Sequence, residues 1–139
     1  MKYSQMFIPG LFVVLGFVSN VGALEPTSDP LETVKMNLTS RKAVLLDVRE
    51  KDEWNDGHLK DAIHLPLSAI NKGISAEKLA KITGKDSIIY LHCAAGARSL
   101  EAANRLAKTG RDLRSLEPGY DALVKAGFPR AKRRAFPGH

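Results

Sequence analysis

Two short runs in this chain, Ala43-Val44-Leu45-Leu46 and Ile88-Ile89-Tyr90-Leu91, are apolar without interruption. A strand wetted on one face alternates apolar with polar residues, so unbroken runs of this length predict parallel strands covered on both faces. The first run stops at Asp47, and the second is followed by His92 and Cys93. Around them the spacing turns helical. Asp29-Pro30-Leu31-Glu32 reads as a helix start with an N-cap acid, followed by Val34 and Leu38; Ser75 caps a segment carrying Leu79 and Ile82 and closing at Gly84. Leu100, Ala103, Leu106 and Ala107 define a further helix between Ser99 and Lys108, stopped by Gly110. Ala62-Ile63-His64-Leu65, ended by Pro66, and Leu113 to Leu116 add two brief strands, and Tyr120 to Ala126 a last helix ahead of Gly127. Glu50 to Gly57 reads as a polar turn. Strands alternating with helices predict an α/β layer structure with a mostly parallel sheet. Such sheets bind ligands at the carboxyl ends of their strands, which would bring Asp47-Val48-Arg49 and the segment from Cys93 to Arg98 to one edge.

Residues 1–23 stand apart from this pattern. Lys2 precedes an apolar stretch from Met6 to Val18, and Val21-Gly22-Ala23 closes it with small residues. That is the pattern of a secretory signal peptide, with cleavage expected before Leu24 and a periplasmic or secreted mature protein. An uncleaved anchor is the alternative; Pro9, Gly10 and the polar Ser19-Asn20 pair count against it. About 116 residues remain, enough for one domain with one modest core. A monomer is expected.

The formal charge of +6 shrinks once it is located. Lys2 accounts for one cation, and residues 130–139 carry Arg130, Lys132, Arg133 and Arg134 without an acid, so the body is close to neutral. The basic tail is expected to be a frayed, solvated terminus, with weak contact to an anionic membrane surface as its remaining option. No nucleic-acid partner is expected for an exported protein of this composition.

Cys93 is the only cysteine, so no intramolecular disulfide can staple the fold. It lies where an apolar strand gives way to a helix, followed by Ala94, Ala95, Gly96, Ala97 and Arg98. A turn of small residues entering a helix lets successive backbone N–H groups converge on one point, which would stabilise negative charge on the sulfur. Gly96 suits a positive φ, and Arg98 can close the far side of the cradle against an anionic substrate. Cys93 is therefore a candidate nucleophile. The competing reading is an ordinary strand-to-helix turn with an inert cysteine.

Asp47-Val48-Arg49, Glu53-Trp54, Gly57-His58 and Pro66 resemble the signature of the rhodanese family, and Cys93-Ala94-Ala95-Gly96-Ala97-Arg98-Ser99 resembles its active-site loop. Order and separation agree, and the likeness extends from about Asp29 to Pro129. The resemblance implies one rhodanese-like domain over residues 29–129, an α/β fold whose central, mostly parallel sheet has about five strands flanked by helices. It also implies sulfur transfer in two steps. Cys93 would take sulfane sulfur from thiosulfate or a persulfide and pass it to cyanide or a thiol. Ala94, Ala95, Gly96, Ala97 and Arg98 would form the substrate loop. Asp47 and Arg49 would support that loop rather than perform chemistry. Partners would be a small-molecule sulfur donor and acceptor, with no metal and no organic cofactor.

His92 would point away from Cys93 as the preceding residue of a strand, so it is expected to brace the core or loop rather than act as a base. His58 and His64 are expected to be structural, and Trp54 a core anchor beneath residues 50–59. Two further classes remain. Cell-cycle dual-specificity phosphatases and arsenate reductases share the general fold, but their loop has one more residue between cysteine and arginine, which suits a tetrahedral oxyanion. Silent modules of the family bind or carry without turnover, yet commonly lose the cysteine kept here. The loop interior also departs from members that place a cation beside the cysteine, so thiosulfate is expected to bind weakly and the choice of donor stays open.

Overall fold

The computed structural model describes Gly10 and residues 22–133, so nearly all of the expected signal segment and residues 134–139 lie outside the described residues. Four strands form a wholly parallel sheet: β1 (Ala43–Asp47), β2 (Ile63–His64), β3 (Ile88–His92) and β4 (Leu113–Ser115), in the order β2-β1-β3-β4. Six α-helices accompany them among the described residues: α1 (Leu31–Thr39), α2 (Lys51–Asp56), α3 (Leu67–Lys72), α4 (Ala76–Thr83), α5 (Ala97–Leu106) and α6 (Tyr120–Lys125).

The unbroken apolar runs are explained by two cores, one on each face of the sheet. Leu46, Ile89 and Leu91 pack on one side with Ile70 of α3, Leu79 of α4, and Ala102, Ala103 and Leu106 of α5. Leu45 and Tyr90 pack on the other with Val34 of α1, Leu123 of α6 and Phe128. Successive strand residues face opposite cores, so no position in β1 or β3 can be polar without burying that group.

Several expectations are corrected. The sheet has four strands among the described residues, against the expected five. At the outer edge of β4, Thr27 donates its N–H to Ser115 O at 2.8 Å, but Pro26 and Pro30 flank the segment and have no N–H to extend a ladder. The polar stretch from Glu50 is a helix, α2, closed at its start by a reciprocal Glu50/Glu53 capping box. The helix α3 was not anticipated. α4 begins as expected, with Ser75 Oγ accepting from Lys78 N at 3.1 Å. Asp29 does not cap α1: its carboxylate accepts from Tyr90 Oη at 2.6 Å and Arg114 Nη1 at 2.8 Å, stronger partners than a helix N–H. The tail is not wholly solvated either. Leu59 and Arg130 form an antiparallel bridge, and Ala131 donates its N–H to His58 O at 2.9 Å, because the strand-like turn after α2 leaves unpaired backbone groups there.

Tyr90 is fully buried, and its hydroxyl also accepts from Asn37 Nδ2 at 3.0 Å. It therefore joins α1 and the N-terminal arm to the sheet centre. Tyr90→Phe leaves the Asp29 carboxylate short of a charge-assisted bond and is expected to cost about 1.5–3 kcal/mol in chemical denaturation. A loss under about 0.5 kcal/mol would mean that the arm is held by packing alone.

Candidate active site

Residue-for-residue pairing of β1 with β3 sets Asp47 opposite His92, and Val48 donates its N–H to His92 O at 3.1 Å just beyond the strands. The two segments singled out in the sequence therefore leave the sheet side by side. Asp47 is fully buried and collects Arg49: its oxygens accept from the Arg49 backbone N–H at 3.0 Å, from Nε at 3.0 and 3.2 Å, and from Nη2 at 2.8 Å. Arg49 Nη2 also donates to Gly57 O at 2.8 Å, and its guanidinium lies 4.2 Å from the Tyr120 ring centroid. A buried carboxylate holding a guanidinium in several bonds fixes the position of both side chains beside the turn.

Cys93 forms the floor of the next turn, with 1% of its surface exposed. Gly96 N donates to its sulfur at 3.0 Å, and the Ser99 hydroxyl lies 3.6 Å away. Ala94, Ala95 and Ala97 are exposed around it, and α5 starts at once, so its first N–H groups open toward the turn. Gly96 has φ +92°, and a Cβ there would come within 2.6 Å of Glu117 O. Both facts require glycine at that position.

The turn between β4 and α6 supports the cradle from behind. Tyr120 N donates to Cys93 O at 2.9 Å, and a Cβ on buried Gly119 would lie 1.6 Å from Ala94 O. Burial pushes the Cys93 thiol up, but the contact with the Ser99 side chain and bonds from the backbone N–H groups of Ser99, Ala95 and Gly96 outweigh it. The net result is a pKa below the ordinary value. Arg98 does not stand free over the cradle. Its two terminal nitrogens each donate to Glu53 at 2.7 Å, tying α5 to α2. That contact, ahead of the others, holds the Glu53 carboxyl at about 2.

His92 is completely buried, with Nε2 3.6 Å from Asp47 Oδ2 and Nδ1 3.4 Å from Cys93 O. Burial lowers its pKa against the pull of Asp47, so it is a neutral bracing residue, as expected. Trp54 is not a core anchor: it is half-buried, stacked between His58 at 3.6 Å and His64 at 4.8 Å, because α2 is short and contributes no buried residue. His58 Nδ1 contacts Trp54 O at 3.1 Å and His64 Nε2 contacts Arg49 O at 2.8 Å, which gives each a structural role. Gly119 and Tyr120 belong to the site but were read from the sequence only as the turn and start of a last helix; Glu53 and Ser99 lie inside the two motifs that resemble the family's, without a role of their own.

Two outcomes test this geometry. Gly119→Ala cannot be absorbed by a flexible side chain, since the clash is with backbone, and is expected to cost about 3 kcal/mol and slow alkylation of Cys93 in the folded protein. Unchanged alkylation would separate the turn from the cradle. The Glu53 carboxyl is depressed from 4.5 to about 2 in the folded state. The Arg98–Glu53 pair therefore stabilises fully above about pH 4.5 and is lost as pH falls toward about 2. Thermal melts should lose less across that interval in Glu53→Gln than in the wild type.

The family model described as a Rhodanese-like domain matches residues 30–126. Among curated relatives, the probable adenylyltransferase/sulfurtransferase MoeZ of Mycobacterium tuberculosis is 39% identical over 92 residues, covering 66% of this chain and 22% of that protein. The chain thus spans about a fifth of that relative's length. The putative sulfur carrier protein YrkF of Bacillus subtilis is 33% identical over 81 residues, covering 58% of this chain and 40% of its own. Among solved structures, the human single-domain sulfurtransferase TSTD1 shares the fold, with a TM-score of 0.59 at 24% identity over 73% of this chain and 96% of its own. A family match of that extent, on a chain whose one cysteine lies in a cradle at the carboxyl edge of a parallel sheet, places it in the rhodanese family.

Proposed function

We propose that the protein is a sulfurtransferase that moves sulfane sulfur from thiosulfate or a persulfide to a thiophilic acceptor through a persulfide on Cys93. The observation that carries this reading is the sulfur at the floor of the cradle, 3.0 Å from Gly96 N, with its pKa drawn below the ordinary value. A thiolate is the attacking form, and the same N–H groups stabilise the charge of the persulfide that replaces it.

In the first half-reaction the Cys93 thiolate attacks the sulfane sulfur of the donor. With thiosulfate, the donor S–S bond breaks, its electron pair leaves on sulfite, and the sulfane sulfur stays on Cys93. In the second, cyanide or a thiolate attacks that outer sulfur, and the electron pair of the persulfide S–S bond returns to Sγ. Oxidation level is carried by the sulfur itself, so the steps call for no metal or organic cofactor. Arg98 is already matched by Glu53, and Ala94, Ala95, Gly96 and Ala97 add no cation, so a persulfide of lower charge is the better donor than thiosulfate.

The likeness to a putative sulfur carrier favours a second reading, in which the persulfide is delivered to a partner without independent turnover. The phosphatase alternative has no such support, and four residues between Cys93 and Arg98 make a tight cradle for a tetrahedral oxyanion. Export is part of the proposal. Leu24 packs against the core, and Asn104 takes its N–H at 2.7 Å and donates to its O at 3.5 Å. An amino group released by cleavage before Leu24 would thus meet a side-chain acceptor. Intact mass of the protein recovered outside the cytoplasm should lack residues 1–23.

Purified protein incubated with thiosulfate or a polysulfide should gain one sulfur atom on Cys93 by mass spectrometry and pass it to cyanide. Cys93→Ser should reduce transfer by about a thousandfold or more. Equal behaviour of the two proteins would reject the enzyme reading, while loading without repeated turnover would favour the carrier. The thiolate should be alkylated with a pH midpoint below the ordinary 9.0, and Ser99→Ala should raise that midpoint because a stabilising bond is removed.

A further inference from the structure

His92 is a buried ionisable group that the proposed reaction does not use, yet it touches the cysteine's own peptide. It closes β3, is completely buried, and faces Asp47 across the β1–β3 pairing. Its two ring nitrogens meet different surroundings. Nδ1 lies 3.4 Å from Cys93 O, within reach of a hydrogen bond, whereas Nε2 has no hydrogen-bond partner and stands 3.6 Å from Asp47 Oδ2. The groups around the ring are Asp47 on β1, Arg49 just beyond it, the Cys93 peptide, and Tyr120 of α6, whose ring centroid is 6.5 Å away.

A neutral imidazole has one proton for its two nitrogens. The Asp47 oxygens already accept from the Arg49 backbone N–H, Nε and Nη2, and the guanidinium charge offsets part of the carboxylate's pull. Cys93 O has the Tyr120 N–H at 2.9 Å, and a carbonyl oxygen has room for a second donor. The proton therefore belongs on Nδ1, which leaves Nε2 as a bare acceptor in the interior. An unpaired buried acceptor costs about 1–3 kcal/mol. An apolar ring would fill the space without that cost, so stability alone does not account for a histidine here.

The donated proton fixes the direction of one peptide. In a trans peptide the C=O and the N–H point opposite ways. Cys93 O is held toward α6 by Tyr120 N and by His92 Nδ1, so the Ala94 N–H points to the other side of the turn. That is the side of α5, where Cys93 packs with Ala102, Ala103 and Leu106. Resting on the sulfurtransferase reading, we propose that His92 is a positioning residue: through its bond to Cys93 O it turns the Ala94 N–H toward the outer sulfur of the Cys93 persulfide. Gly96 N, at 3.0 Å, serves Sγ itself, while Ala94 is exposed at the mouth of the cradle, where an added sulfur would sit. In loading, the Cys93 thiolate attacks the sulfane sulfur of thiosulfate, and the S–S electron pair leaves on sulfite. The persulfide anion then gains a bond from Ala94 that the thiolate lacks.

The test equilibrates full-length protein with thiosulfate and sulfite at fixed ratios and reads the loaded fraction by intact mass. His92→Phe should lower the loading equilibrium constant by about five- to tenfold. Alkylation of unloaded Cys93 at neutral pH should stay within about twofold of the wild type, because Sγ keeps its own donors. A turn that was merely loosened would change both together. Asparagine sets its side-chain N–H where Nδ1 stands, and glutamine reaches the place of Nε2. His92→Asn should therefore restore loading to within about twofold of the wild type, and His92→Gln should not. The wild type gives a reading that depends on no variant folding: NMR of protein carrying isotope-labelled histidine should find the His92 proton on Nδ1 and none on Nε2. A proton on Nε2, an unchanged loading constant in His92→Phe, alkylation slowed in step with loading, or rescue by glutamine rather than asparagine overturns the positioning role. With wild-type transfer to cyanide intact, each of these leaves the sulfurtransferase reading standing. A wild type that takes no sulfur onto Cys93 overturns that reading and this inference with it.

Discussion

The pairing of Ala43–Asp47 with Ile88–His92 sets the height at which two strands leave the sheet, and the site is built at that height. Because Asp47 faces His92, the Asp47–Arg49 brace stands against the turn that holds Cys93. A shift of one residue would turn the two cores inside out, since Leu45 and Leu46 belong to opposite faces. Register is thus protected by apolar burial on both sides of the sheet. The same burial that holds the fold without a disulfide also holds the geometry of the candidate site.

Electrostatics in the site follow a consistent division. The floor stabilises an anion with backbone N–H groups and a helix start, contributions that cannot dissociate or be screened away from a buried sulfur. The guanidinium groups nearby are instead matched, Arg49 by Asp47 and Arg98 by Glu53, and serve to join elements. Stabilisation is therefore directed at the sulfur, and the two guanidinium groups beside it are paired with carboxylates.

Much of the architecture was legible because its signals are local. The apolar runs of β1 and β3, the Ser75 cap and the helical spacing after Ser99 each state their own element. Where the reading failed, a distant partner decided the outcome. Asp29 looked like an N-cap until Tyr90 and Arg114, far along the chain, competed for its carboxylate. Trp54 looked like a core residue until two histidines covered its faces outside the core. Among the described residues, the place where the family implies a fifth strand holds one backbone bond beside two prolines.

Cys93 shows the same division at the scale of one residue. The chain's own order of residues determined that a lone cysteine sits at a strand-to-helix turn lined by small residues and followed by an arginine, because strand run, glycine and helix start are neighbours in sequence. Only the tertiary structure decided that Gly119 and Tyr120 back the turn and that Glu53 takes up Arg98. Those residues lie on α2, α6 and the turn before α6, and nothing in a local pattern says which side chains a parallel sheet will bring to its carboxyl edge.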